Sequence, residues 1–266
     1  MTTAVISDYL EGKILDYVLR GQVFASPASV YLGLFTANPT DANGGTEVSG
    51  GSYARKQLTA AFDVAANRAT QNTAIIQFPT STAVWGSVSH VGIFDAASGG
   101  HLLFHGEFAD PLQVDAGDVY KTEAGALDIS FGGDISTFLA NEMLDHIFRA
   151  SAFTQPADAY LALYTTMPNA GDSGGVEVTG GSYARKQCFG DAKWDAPHPT
   201  DGFIANTAIE AFAAASANWG EVVGMGIRSA LTGGNLFWFK TLAASKTVYA
   251  GDTFRFPAGS IVLTAS

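Results

Sequence analysis

Residues 50–57 read Gly-Gly-Ser-Tyr-Ala-Arg-Lys-Gln, and residues 180–187 repeat all eight. An identity of that length within 266 residues marks an internal duplication, and it decides the architecture before any single element is assigned. The match extends in both directions. Upstream, Arg20, Phe24, Pro27 and Tyr31-Leu32 reappear as Arg149, Phe153, Pro156 and Tyr160-Leu161, an offset of 129. Downstream, Trp85-Gly86, Gly99-Gly100 and Ala116-Gly117-Asp118 reappear as Trp219-Gly220, Gly233-Gly234 and Ala250-Gly251-Asp252, an offset of 134. The offset steps by one before Gly50 and by four between Arg55 and Trp85. Those stretches therefore read as loops, which absorb insertions while a framework persists. A period of about 130 residues far exceeds the roughly 20–50 of a solenoid. Each copy is thus expected to be a domain in its own right, 1–132 and 133–266, with the boundary near Gly132-Gly133.

Composition favours a mainly β fold. Thirty glycines, 12% aromatic and only 15% charged residues suit short strands joined by tight turns, and 47% hydrophobic content supplies a core. Each copy opens on a helical stripe: Ile6, Leu10, Ile14, Tyr17 and Val18 in the first, Ile135, Leu139, Met143, His146 and Ile147 in the second. Ser7 and Asp8 are candidate N-caps. Strand-like runs follow at 29–36, 53–60, 74–78, 88–94, 101–108 and 125–131, separated by turn clusters at 38–45, 49–51 and 97–100. The expected architecture is two tandem antiparallel β-sandwich modules, jelly-roll-like, each preceded by one N-terminal amphipathic helix. Trp85 and Trp219 each precede a glycine and a strand, and are expected to plug one end of a sandwich.

Charge and cysteine content narrow the function. A net charge of −11, spread along the chain, disfavours nucleic acid as a partner, because phosphate binding relies on clustered Lys and Arg. A single cysteine, Cys188, excludes an intrachain disulfide. It aligns with Leu58, as a small apolar strand residue would. The N-terminus lacks the basic and apolar regions of a signal peptide, and no run reaches the ~18 apolar residues of a membrane span. Synthesis in the cytoplasm without a signal peptide, and no membrane partner, are the expectations.

The repeated octapeptide supplies the candidate site: Tyr53, Arg55 and Lys56, with Tyr183, Arg185 and Lys186. Arg55 is positioned to pair with Glu47, and Arg185 with Glu177, which recurs with it. An exposed pair of that kind contributes only ~0–1 kcal/mol. Buried hydrogen bonding within the domain, or docking onto a neighbouring module, would each account for the repeated residues.

Catalytic and metal chemistry are not expected. His90, His101 and His105 invite a metal reading, but Gly224, Asn235 and Phe239 stand in their places in the second copy. The loop around Asp41 and Asn43 lacks the bidentate Glu of an EF-hand and reads as a turn. No nucleophile elbow, phosphate loop or nicotinamide fingerprint is present, so no catalytic, cofactor-binding or metal residues are assigned.

Three runs carry a resemblance: Tyr31 to Asp41 (Tyr-Leu-Gly-Leu-Phe-Thr-Ala-Asn-Pro-Thr-Asp), Thr46 to Arg55 (Thr-Glu-Val-Ser-Gly-Gly-Ser-Tyr-Ala-Arg), and the run from Trp85 through Gly92-Ile93-Phe94 to Gly100. Over nearly all of residues 5–131 the chain resembles a family of small structural proteins of tailed bacteriophages, commonly labelled phage tail fibre proteins. The second copy is similar more loosely, with Gly226-Ile227-Arg228 replacing Gly92-Ile93-Phe94. The resemblance implies a non-enzymatic virion protein, in a tail fibre or appendage or as a capsid decoration. Its partners would be other capsid or tail proteins and further copies of itself in a closed homo-oligomer such as a trimer. An adhesin that binds a host receptor or surface glycan is the alternative, with Tyr53, Trp194 and loop 38–47 as sugar-binding candidates. A polysaccharide-degrading tail enzyme ranks lower, since most of the acids do not repeat between the copies. Typical members look like single modules, so the duplication is a departure.

Overall fold

The computed structural model describes residues 2–58 and 62–265. The first copy contains strands β1 (Thr2–Ile6), β2 (Val30–Ala37), β3 (Thr46–Glu47), β4 (Lys56–Leu58), β5 (Ala69–Gln71), β6 (Ile76–Gln77), β7 (Gly86–Phe94), β8 (Leu102–Val114), β9 (Lys121–Thr122) and β10 (Leu127–Ser130), with helix α1 (Asp8–Leu15) after β1. The second contains helix α2 (Thr137–Phe148) and strands β11 (Tyr160–Thr166), β12 (Val176–Glu177), β13 (Lys186–Gln187), β14 (Phe203–Ala205), β15 (Glu210–Ala211), β16 (Gly220–Arg228), β17 (Leu236–Val248), β18 (Arg255–Phe256) and β19 (Val262–Thr264). From β2 and β11 onward the two series correspond one to one. The fold is mainly β, with one helix at the head of each copy. Of the strand expected at 53–60, residues 56–58 are extended and residues 59–60 lie outside the described residues.

The main sheet of the first copy runs β3-β2-β7-β8-β1-β10-β5, with β4 also pairing β2. Its centre is antiparallel: Leu32 faces Ile93 and Leu34 faces Val91, and all four side chains are buried. The second copy repeats this centre as β12-β11-β16-β17, with β13 on β11. The β7–β8 and β16–β17 hairpins close through the paired glycines. Gly100 (φ +69°) and Gly234 (φ +68°) lie in the left-handed region, and a Cβ on either would collide with the turn residues before it, Asp95 and Ala96 in one copy, Ser229 and Ala230 in the other.

Two local features differ from the sequence reading. Ile6 does not start the helix but ends β1, which pairs antiparallel with β8 and parallel with β10 (Ala4 opposite Ile129). The cause is a two-residue alternation too short to stand out: Ala4 and Ile6 are buried and Val5 is exposed. In the second copy Ile135 makes only an isolated bridge to Trp238. Ser7 is the N-cap, its Oγ accepting from the Leu10 amide, and Ser136 does the same for Leu139. Each hydroxyl also donates back to the sheet, Ser7 to the Leu102 carbonyl at 2.6 Å and Ser136 to the Leu236 carbonyl at 2.5 Å. Beyond Leu15 the first helix widens into a π-helical turn, Asp16–Arg20, closed by Gly21 at φ +76°. Most of the buried apolar residues of both copies form one continuous cluster that includes both helices.

Candidate functional site

The octapeptide forms a latch inside each copy. Gly51 sits at φ +54° and carries the chain round a turn. That turn aims Tyr53 and Arg55 at Glu47, which the edge strand β3 holds opposite Phe35. The Glu47 Oε1 accepts from the Tyr53 hydroxyl and from Arg55 Nε, both at 2.8 Å, and Oε2 accepts from Arg55 Nη2 at 2.8 Å. Arg55 Nη1 donates to the carbonyls of Ala96 (3.0 Å) and Gly99 (2.7 Å), tying in the β7–β8 turn. The Tyr53 oxygen also accepts from the Leu34 amide at 2.9 Å. The guanidinium carbon lies 3.4 Å from the centre of the Phe94 ring, a stacked cation–π contact.

The second copy repeats the latch bond for bond. Tyr183 and Arg185 Nε donate to Glu177 Oε1 at 3.0 and 2.8 Å, and Arg185 Nη2 to Oε2 at 2.7 Å. Arg185 Nη1 donates to the Ala230 and Gly233 carbonyls, and the Leu163 amide to the Tyr183 oxygen. The arginine side chains are only 8% and 7% exposed. These are thus charge-assisted, mostly desolvated bonds, well above the value of a surface pair. Behind each latch, Trp85 and Trp219 meet Tyr53 and Tyr183 edge-on at 5.5 and 5.4 Å. Their indole N–H groups donate to Gly51 and Gly181. Burial pushes both phenols above the ordinary tyrosine value, with the adjacent glutamate adding to it.

Tyr53, Arg55, Tyr183 and Arg185 therefore face inward, and their repetition is explained by bonds within each copy. Of the lysines, Lys56 is exposed, and Lys186 is half-buried beside the carboxylate of the buried Glu210 at 3.4 Å. Of the sugar-binding candidates, Tyr53 is thus engaged in the latch. Trp194 is fully buried, its indole bonded to the Cys188 carbonyl. It bridges Asn206 as Phe62 bridges Asn72 in the first copy, so it takes the place of another buried aromatic, a correspondence that the shift in offset between Arg55 and Trp85 hides in the sequence. Loop 38–47 does reach an opening: Asp41 and Asn43 border a cleft of about 530 Å³ lined also by Tyr9, Lys13, His101 and His198. Burial raises the Asp8 carboxyl there, with help from Asp41 and Asp201.

The histidines of the first copy each bond a different partner. His101 stacks on Tyr9 at 3.9 Å and bonds Asp95, His105 bonds Asp41, and His90 bonds Ser89. Among the described residues, no cluster of three or more His, Cys, Asp or Glu side chains is arranged to hold a metal ion. Cys188 is buried, and that burial pushes its thiol up.

The replacement of Phe94 by Arg228 between the copies belongs to a wider exchange. In the first copy Phe35, Phe94 and Leu102 form a small apolar cluster of their own. In the second, Tyr164 and Arg228 replace the two phenylalanines. Arg228 grips Asp172 with two nitrogens (3.0 and 2.6 Å) and donates to the Tyr164 hydroxyl at 2.8 Å. Burial opposes the Arg228 charge, yet its bonds to Asp172 and Tyr164 outweigh that and hold its pKa above the ordinary value. The exchange of Phe94 for Arg228 thus comes with its own partners.

The family model described as Podophage GP4 fiber I protein gp80 matches the chain twice, over residues 5–130 and 134–264. No curated protein matches it.

Proposed function

The chain belongs to the podophage GP4 fiber I protein gp80 family, a family of phage fibre structural proteins, and from that premise we propose that it is a non-enzymatic component of a tail fibre or tail appendage displayed on the virion surface. Its two copies, 1–132 and 133–266, act as two modules of the same kind. The observation that carries this reading is the latch, present bond for bond in both copies while the histidines, Cys188 and most acids differ. What the duplication preserved is the means of holding a sheet edge and a hairpin turn together. Lys56 and Lys186, the charged octapeptide residues outside the latch, are the proposed docking contacts to neighbouring virion proteins, and assembly in the particle places further copies of the chain beside it, as in a trimer.

A capsid decoration is the nearest alternative position. Gold-labelled antibody against the chain, applied to purified particles, is expected to mark the tail. Label confined to the head would make it a decoration protein, and unlabelled particles would remove it from the virion altogether. A second reading, host-glycan binding, is favoured by the cleft at loop 38–47, where ring faces and carboxylates meet as sugar recognition requires. Purified protein that adsorbs to host cells, and loses adsorption on Asn43→Ala, would support it.

A further inference from the structure

The contacts between the two copies are reciprocal. The Tyr17 hydroxyl donates to the Phe153 carbonyl (2.6 Å), and His146 Nε2 bonds the Phe24 carbonyl (3.3 Å). Positions 17 and 146 correspond at the offset of 129, and so do 24 and 153. The Ser26 hydroxyl donates to the His146 carbonyl, and Gln155 Nε2 donates to the Tyr17 carbonyl; 26 and 155 correspond as well. At the elements' scale, α1 lies against β14 of the second copy and α2 against β5 of the first, and β5 and β14 correspond at the offset of 134. Finally, Tyr17 and His146, equivalent to each other, stack directly at 6.2 Å with planes 19° apart. A position that touches its own equivalent lies on a two-fold axis.

Two different surfaces meeting by chance would give contacts from i to j without those from j to i. Contacts paired in both senses, with a self-contact at the centre, define an isologous interface. We infer that the face joining the two copies is a self-complementary docking surface whose partner is a second copy of the same module, and that this chain carries a two-fold module dimer within one polypeptide. The rim has since diverged. Gln22 and Arg20 reach Asp191, in the longer loop of the second copy. On the other side Arg149 reaches the Phe62 carbonyl, Asp145 accepts from the Ala65 amide and Asn141 from the Arg68 amide. Those unlike contacts favour the first copy pairing with the second. The reciprocal centre permits like to pair with like.

The test uses the full chain with a protease recognition sequence inserted between Gly132 and Gly133, both exposed, folded intact and then cut. Size-exclusion chromatography with light scattering at micromolar concentration is expected to return one species of the uncut mass. Native mass spectrometry of cut chain mixed with cut chain carrying a mass tag on one half is then expected to show exchange, with dimers of first halves and of second halves alongside the mixed pair. Tyr17→Ala in the cut chain, which removes the axial ring and its bond to Phe153, is expected to weaken association about tenfold, with the far-ultraviolet circular dichroism of the uncut variant unchanged. Halves that separate on cutting would overturn the inference. So would halves that re-form only the mixed pair and never a like pair, since that surface would be heterologous.

Discussion

Tyr53 and Tyr183 each hold a hydroxyl between a backbone amide and a glutamate, in a site that burial makes hostile to a phenolate. Their folded pKa values lie above the value near 10 of the unfolded chain. A group raised in this way contributes its full stability below the unfolded pKa and loses it as pH rises toward the folded one. Stability should therefore fall above pH ~10, at up to ~1.4 kcal/mol per pH unit for each phenol. Urea midpoints measured at rising alkaline pH check this, and the double variant Tyr53→Phe/Tyr183→Phe should start lower but fall less steeply. An equal slope in both proteins would show that these phenols are not the groups responsible. The pairing of Arg55 with Glu47 was legible because both residues recur at the same spacing. Its burial was not, since spacing says which residues can meet and nothing of what covers them. Trp194 was misread for a related reason: the change of offset before it hides that it stands where the first copy buries Phe62.

Ser7 and Ser136 each perform two tasks at a helix entrance, capping the first turn and bonding a carbonyl of the adjacent long strand. Ser136→Ala and Ser7→Ala should each cost ~1–2 kcal/mol, the upper part of the range for lost caps, because a strand carbonyl loses its donor too. Chemical-denaturation midpoints would register this, and unchanged midpoints would show that packing alone holds the helices in place. Both helices were readable from their apolar stripes, whereas β1 was not. Five residues with a single alternation give too little periodicity to compete with the helical stripe that begins beside them. Its parallel partner, β10, lies more than 120 residues away, beyond the reach of any local signal. The end of β8 also runs past the strand expected at 101–108, because its outer residues are exposed on both faces and leave no buried alternation to read.

Across the whole molecule, the duplication was plain in the sequence and the contact between its copies was not. Correspondence tells which positions are alike, and the axial pair, Tyr17 and His146, is not even alike in residue type. Since one apolar cluster runs through both copies, the chain should unfold as a unit despite its length. Differential scanning calorimetry should give one transition with equal calorimetric and van't Hoff enthalpies, and two resolved transitions would contradict that continuity. A body with a dyad through its middle also has no head and no tail. A neighbour that is to meet such a body in one direction only has to read residues in which the halves disagree. Tyr164, Asp172 and Arg228 are such residues: a charged lock in one half where the other has plain hydrocarbon and rings. They are marks by which a neighbour can tell the two ends apart.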